Sequence, residues 1–192
     1  VSSQLFTSSG TWTRPSGVKR IEVWVVGGGG NSTNTSGSAY GGGGGGTAYS
    51  ILDVTNLATA AYTVGGASAN STFVGATTLT GEGGADAVDS TFGSGGTATG
   101  GQINYAGSPG GYTSPQYTHP MEGHSQFGGI FGNGASGGGG NAATRNGTAG
   151  CVYVKEYTDP SLVSGGSLVP TGVVNPYAGA TAPAGWLLCY GQ

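Results

Sequence analysis

Strict alternation of apolar and polar residues marks the first long element of the chain. Along Val18–Val26, Ile21, Val23 and Val25 alternate with Arg20, Glu22 and Trp24, the two-residue period of a strand with one buried face. The same period recurs over residues 48–54, in a short partner at 61–64, and over 151–157. In the last of these Val152 and Val154 alternate with Tyr153, Lys155 and Tyr157. A shorter strand at residues 10–12 runs into Arg14-Pro15-Ser16-Gly17, which has the composition of a turn. Nowhere do a dozen residues carry apolar positions at helical spacing without an interrupting Gly or Pro. The pattern predicts an all-β chain built on a small β-sandwich-like framework.

Between the strands lie runs of glycine, at residues 27–30, 41–46 and 137–140, with many paired glycines from 65 to 129. The chain holds 44 glycines and 8 prolines in 192 residues. Composition of that kind often signals disorder. Charged residues are only 7 %, however, so self-repulsion does not hold the chain open. No Gly-X-Y period is present, which excludes collagen. Two readings of the runs stand: irregular tight loops, or extended polyproline-II-like segments packed side by side. The second is open to glycine because it has no Cβ to keep neighbouring backbones apart. Large aliphatic and aromatic side chains are scarce, so order must come also from backbone hydrogen bonds or from neighbouring subunits.

Net charge is −3, and the five cations, Arg14, Lys19, Arg20, Arg145 and Lys155, form no stripe. Nucleic acid is therefore not an expected partner. Cys151 and Cys189 share no motif and read as structural thiols. Val25 and Val26 followed by residues 27–30 imitate a dinucleotide-binding turn, but no helix follows to receive a pyrophosphate. Glu82, Asp86 and Asp89 gather three carboxylates, in a pattern that neither completes nor repeats a calcium motif, and a solvated loop is the simpler reading. His119 and His124 flank Pro120 at a spacing that matches no metal-ligand pattern. No cofactor, metal site or catalytic arrangement is expected.

Residues 158–168, rich in Ser and Gly around Asp159-Pro160, read as a linker after a first domain at 1–157. Beyond it, Pro170-Thr171-Gly172 leads through Pro176-Tyr177-Ala178-Gly179 to Ala182-Pro183-Ala184-Gly185-Trp186-Leu187-Leu188-Cys189-Tyr190-Gly191-Gln192. This stretch resembles the opening of the phage tail collar domain, with Tyr190 where that family often has an acidic residue. The lead-in Phe6-Thr7-Ser8-Ser9-Gly10-Thr11-Trp12, the segment Tyr62-Thr63-Val64-Gly65-Gly66 and the closing strand after Gly150 are similar to the glycine-rich domain that precedes such modules in tail fibre proteins. Opening on Val1 and stopping within the collar pattern, the chain reads as a piece of a longer protein whose collar-like module, 169–192, is truncated.

The resemblance implies a homotrimeric, non-enzymatic component of the virion tail, working beside other tail or baseplate proteins. It would attach to a glycan or outer-membrane protein of the bacterial host. The alternative is a purely structural tail joint that organises the trimer. Trimer contact would fall on Val173, Val174, Tyr177, Trp186, Leu187 and Leu188, large side chains too crowded for a short stretch to bury alone. Residues 102–131 interrupt the glycine pattern with aromatic rings and prolines. Tyr105, Tyr112 and Tyr117 are candidate stacking platforms for the receptor, with Gln116, His119 and His124 as hydrogen-bonding partners. The competing reading has those rings pack inside the protein or between subunits.

Overall fold

The structure is a computed structural model; it describes residues 1–35, 38–113, 122–127, 131–133 and 145–158. Among these residues there are strands and turns and no helix, as the periodicity requires. One sheet has the order β1 (Ser2–Phe6), β13 (Cys151–Thr158), β3 (Val18–Val26), β6 (Thr47–Asp53), β11 (Ile103–Tyr105). A second has the order β10 (Ala98–Thr99), β9 (Thr78–Gly81), β8 (Ser71–Val74), β7 (Thr59–Thr63), β2 (Gly10–Thr13). A third, small sheet joins β12 (Tyr112–Thr113), β5 (Ser38–Tyr40) and β4 (Thr33–Thr35). All pairings within the three sheets are antiparallel.

The two large sheets face each other across one core. Ile21, Val23 and Val25 of β3 and Val152 and Val154 of β13 meet Trp12, Ala60, Tyr62, Phe73 and Leu79 of the second sheet. The alternation read from β3 and β13 thus names the buried face correctly. Gly17, at φ 80°, makes the turn into β3, and Val18 N–H donates to Pro15 C=O across it at 3.2 Å. The short strands β4, β5 and β8 to β12 carry too few apolar residues to announce themselves, and β1 shows no clear alternation.

One buried residue breaks the apolar pattern. Glu156 points inward on the same face as Val152 and Val154, only 2 % exposed. A buried carboxylate is costly without donors. Glu156 accepts hydrogen bonds from the Trp12 indole at 2.9 Å, the Gln4 amide at 2.6 Å and the Ser2 hydroxyl at 2.6 Å. Ser2 and Gln4 lie on β1 and Trp12 on β2, so one side chain fastens the edge of the first sheet to the edge of the second.

The glycine runs continue past one end of this sandwich. Residues 27–30 prolong β3, 41–46 lead into β6, 82–85 follow β9, 93–97 precede β10, 107–111 follow β11, and 147–150 precede β13. Successive amides in the first run turn to different neighbours. Gly27 N–H donates to Gly46, Gly28 to Ala69, Gly29 to Thr148, and Gly30 returns to the first partner at Gly43, each at 2.8–2.9 Å. Other runs repeat this spacing of three: Gly41 and Gly44 donate to Gly111 and Ser108, and Gly43 and Gly46 to Ala85 and Glu82. A strand would return to the same partner every second residue. A return every third residue is the signature of the three-residue turn of polyproline II. The described runs are therefore rods in a laterally hydrogen-bonded bundle, and the loop reading is set aside for them; the run at 137–140 lies outside the described residues.

Close approach is what demands glycine here. A Cβ on Gly43 would overlap the Ser94 carbonyl, and one on Gly30 the Ala85 carbonyl, both immovable backbone groups. Gly66, by contrast, faces open space. Gly43→Ala is expected to lower stability by about 3 kcal/mol or more, as for overpacking of a close-packed interior. Gly66→Ala is expected to stay within about 1 kcal/mol of the parent. Guanidinium unfolding of the two variants checks both values, and equal effects at the two positions would contradict the bundle packing.

Candidate functional site

The register of the rods fixes where the chain turns. Ser32 N–H donates to Arg145, Ala87 to Asn31, Gly93 to Gly41 and Gly41 to Gly111, at 2.8–2.9 Å. The reversal from 31 to 40, the reversal from 86 to 92 and the departure of the chain at Tyr112 therefore lie at one level, at the end of the bundle remote from the sandwich. Arg145, where the chain re-enters the described residues, lies at the same level.

Hydrogen bonds link the described segments of the tip. Strands β4 and β5 make a hairpin, and β12 adds to its β5 edge. On the β4 side, Thr35 donates its hydroxyl to the Asp89 carbonyl at 2.9 Å, bringing in the 86–92 turn. That turn is closed by Val88 N–H to Thr91 C=O at 3.1 Å and Thr91 N–H to Val88 C=O at 2.9 Å. Asp89 takes the left-handed conformation, φ 50°, which aspartate tolerates better than most residues. Its exposed apolar side chains are Val88 at 61 %, Tyr112 at 50 % and Phe92 at 47 %. The Tyr112 ring packs on Tyr40, with centroids 5.2 Å apart.

Asn31 is the hub beneath these turns. Its N–H donates to Asp86 Oδ1 at 2.7 Å, its C=O accepts Ala87 N–H at 2.8 Å, and its Oδ1 accepts Gly147 N–H at 3.0 Å. The Ser68 hydroxyl donates to the same Asp86 oxygen. Burial pushes the Asp86 carboxyl up, but the Asn31 and Ser68 hydrogen bonds outweigh it and hold it below the ordinary 3.8. Glu82 instead accepts from the Thr97 hydroxyl. The carboxylates that sequence groups together thus turn to separate partners. Among the described residues no three His, Cys, Asp or Glu side chains are placed to share a metal ion.

Of the proposed receptor residues, the structure describes Tyr105, Tyr112 and His124; Gln116, Tyr117 and His119 lie outside the described residues. The three that are seen do not gather. Tyr105 sits on β11, opposite Thr47 at the sandwich end of its rod. Tyr112 is seven residues further on, about 20 Å away at the polyproline II rise. His124 is exposed beside Ser108, whose hydroxyl accepts its backbone N–H at 2.7 Å. Tyr105 and Tyr112 are both largely exposed, so neither ring fills the core. The trimer candidates Val173, Val174, Tyr177, Trp186, Leu187 and Leu188 also lie outside the described residues, as do Cys189 and nearly all of the linker.

Sequence reading missed Val88, Phe92 and Tyr40 at the tip. The available signal was Asp89-Ser90 between Val88 and Thr91, a turn pair flanked by β-formers. It missed also a second aromatic group, on the outer face of the first sheet, where Trp24 packs between Tyr49 at 4.8 Å and Tyr153 at 5.4 Å. These rings are half-buried against one another and serve the sheet. Cys151 is a buried free thiol, pushed up to about 12 by burial and thus a poor nucleophile.

A sandwich prolonged by hydrogen-bonded glycine rods defines a glycine-rich all-β domain. The chain belongs to the glycine-rich domain family, whose model matches residues 5–186. No curated protein matches it.

The Asp86 clamp carries a pH dependence of definite sign. A carboxyl held below its ordinary value stabilises the fold fully above 3.8 and loses that contribution as pH falls through the lower folded value. Asp86→Asn keeps an acceptor oxygen and cannot titrate. In urea unfolding the stability gap between parent and variant is expected to be constant above about pH 5 and to narrow below about pH 4. A gap that does not change with pH would remove Asp86 from the account.

Proposed function

We propose that this chain is a structural component of a bacteriophage tail fibre or tail tip that attaches to the surface of the bacterial host. One observation carries the reading: turns with exposed apolar and aromatic side chains converge at the end of a hydrogen-bonded bundle. The hydrogen bonds that brace the 86–92 turn and join β4, β5 and β12 reduce the conformational freedom these segments would lose on binding. Tyr112 offers a large contact area with few rotamers. The resemblance of residues 170–192 to the tail collar domain supports a place on the virion, as a homotrimer joined to other tail or baseplate proteins. Repeated weak contacts across three copies and several fibres would supply the avidity. The chain would act by binding, without catalysis.

A purely structural tail joint is the second reading, and the packing of Tyr112 on Tyr40 favours it. The two part on one experiment. Phage carrying Tyr112→Ala and Tyr117→Ala are expected to adsorb to host cells at least about tenfold more slowly, since each lost ring contact is worth about 1 kcal/mol and avidity multiplies the loss. Particle yield and fibre assembly are expected to stay normal. Normal adsorption, or failed assembly, would establish the structural reading instead.

A further inference from the structure

Asn146 and Gly147 form a residue pair that can rewrite its own backbone. The side-chain amide of an asparagine lies within reach of the next residue's nitrogen, and a glycine there puts no Cβ in the way of ring closure. Packing fixes this glycine, because a Cβ on Gly147 would overlap the Gly29 carbonyl. Asn146 is exposed, so water reaches its amide. A reactive pair therefore stands where the chain joins its last rod, at the level of the tip.

The backbone on each side of the pair is fixed to Asn31 and Ser32, at the end of the neighbouring rod. Before it, the Arg145 C=O accepts the Ser32 N–H at 2.9 Å, and the Arg145 N–H donates to the Ser32 hydroxyl at 3.0 Å. After it, the Gly147 N–H donates to Asn31 Oδ1 at 3.0 Å. Ring closure needs the Gly147 nitrogen to surrender its proton and turn toward the Asn146 side chain. An amide oxygen is too weak a base to take that proton, so the bond to Asn31 occupies the N–H without activating it. Asn31 is itself held, its N–H by Asp86 and its C=O by Ala87, and does not follow if Gly147 turns away.

We propose that Asn146-Gly147 is a latent modification site, a succinimide-forming pair that Asn31 and Ser32 hold closed. On local opening of the tip the Gly147 nitrogen gives up its proton and bonds to Asn146 Cγ. The bond from Cγ to the side-chain nitrogen breaks, and ammonia leaves. Water then opens the ring at either carbonyl, which yields aspartate or isoaspartate at 146. Isoaspartate adds a carbon to the backbone between the two clamps and places a negative charge there. The bonds to Ser32 and Asn31 cannot both re-form around the longer backbone, so a transient opening becomes a permanent one.

The test holds the full chain in mildly alkaline buffer, folded and in parallel in urea. Conversion is read by mass spectrometry on the tryptic peptide 146–155, whose sole asparagine is Asn146. Wild type is expected to convert at least about tenfold more slowly when folded than in urea. Folded Asn31→Ala is expected to convert about fivefold faster than folded wild type, the worth of one lost hydrogen bond. Ser68→Ala, which loosens the same hub but leaves the acceptor for Gly147 in place, is expected to convert at the wild-type rate. Should Asn31→Ala not fold, Ser32→Ala, which releases the Arg145 N–H, is expected to show a rise of the same order. The proposal is overturned if folded wild type converts as fast as the chain in urea, or if the folded clamp variant is no faster than wild type. It is overturned also if Ser68→Ala speeds conversion as much as the clamp variant does, since general loosening would then set the rate.

Discussion

Buried backbone is the constraint on which the rest of this protein depends. Residues 27–30 and 41–46 are buried without side chains to shield them or to hydrogen-bond for them. Each N–H and C=O placed there must find a partner or lose about as much as a hydrogen bond is worth. The rods answer this by bonding one another laterally in several directions, which a sheet cannot do. Glycine is required because the rods lie so close that a Cβ at Gly43 or Gly30 would overlap a neighbouring carbonyl. The low content of large apolar residues is the same fact seen from the composition: where the rods pack, the interior is backbone.

The sandwich gives the bundle its register. Strands β3, β6, β9 and β13 run directly into or out of rods, so the pairing of Val26 with Thr47 and Cys151 sets which glycines meet beyond the sheet. Most of these pairings join distant parts of the chain. The last strand, β13, inserts between β1 and β3, and Glu156 on it closes the edge by binding Ser2, Gln4 and Trp12. Such non-local topology makes folding slow relative to local folds. Among the described residues, the 86–92 turn at the far end of the bundle is held by Asn31 and Thr35.

Much of this was legible in the sequence. The long strands and their buried faces follow from the alternation at Ile21, Val23, Val25, Val152 and Val154. Glycine's lack of Cβ allowed rods beside tight loops, and only the three-residue spacing of the backbone hydrogen bonds decides for rods. Glu156 was not legible, because its burial depends on three donors from the other end of the chain. The tip was legible only in part. Tyr112 stands out by residue type, but Val88 and Phe92 look like ordinary strand residues until the register shows that they sit on a turn remote from the core. Sequence also grouped Tyr105 with Tyr112 by proximity along the chain, where an extended rod separates them.

Native-state amide hydrogen exchange tests the central claim most directly. If the glycine rods and the sandwich are one cooperative hydrogen-bonded unit, the amides of Gly28, Gly30, Gly43 and Gly46 exchange as slowly as those of Val23 and Val25, by global unfolding. Exchange of those glycine amides at the rate of open loops, while Val23 and Val25 stay protected, would contradict it.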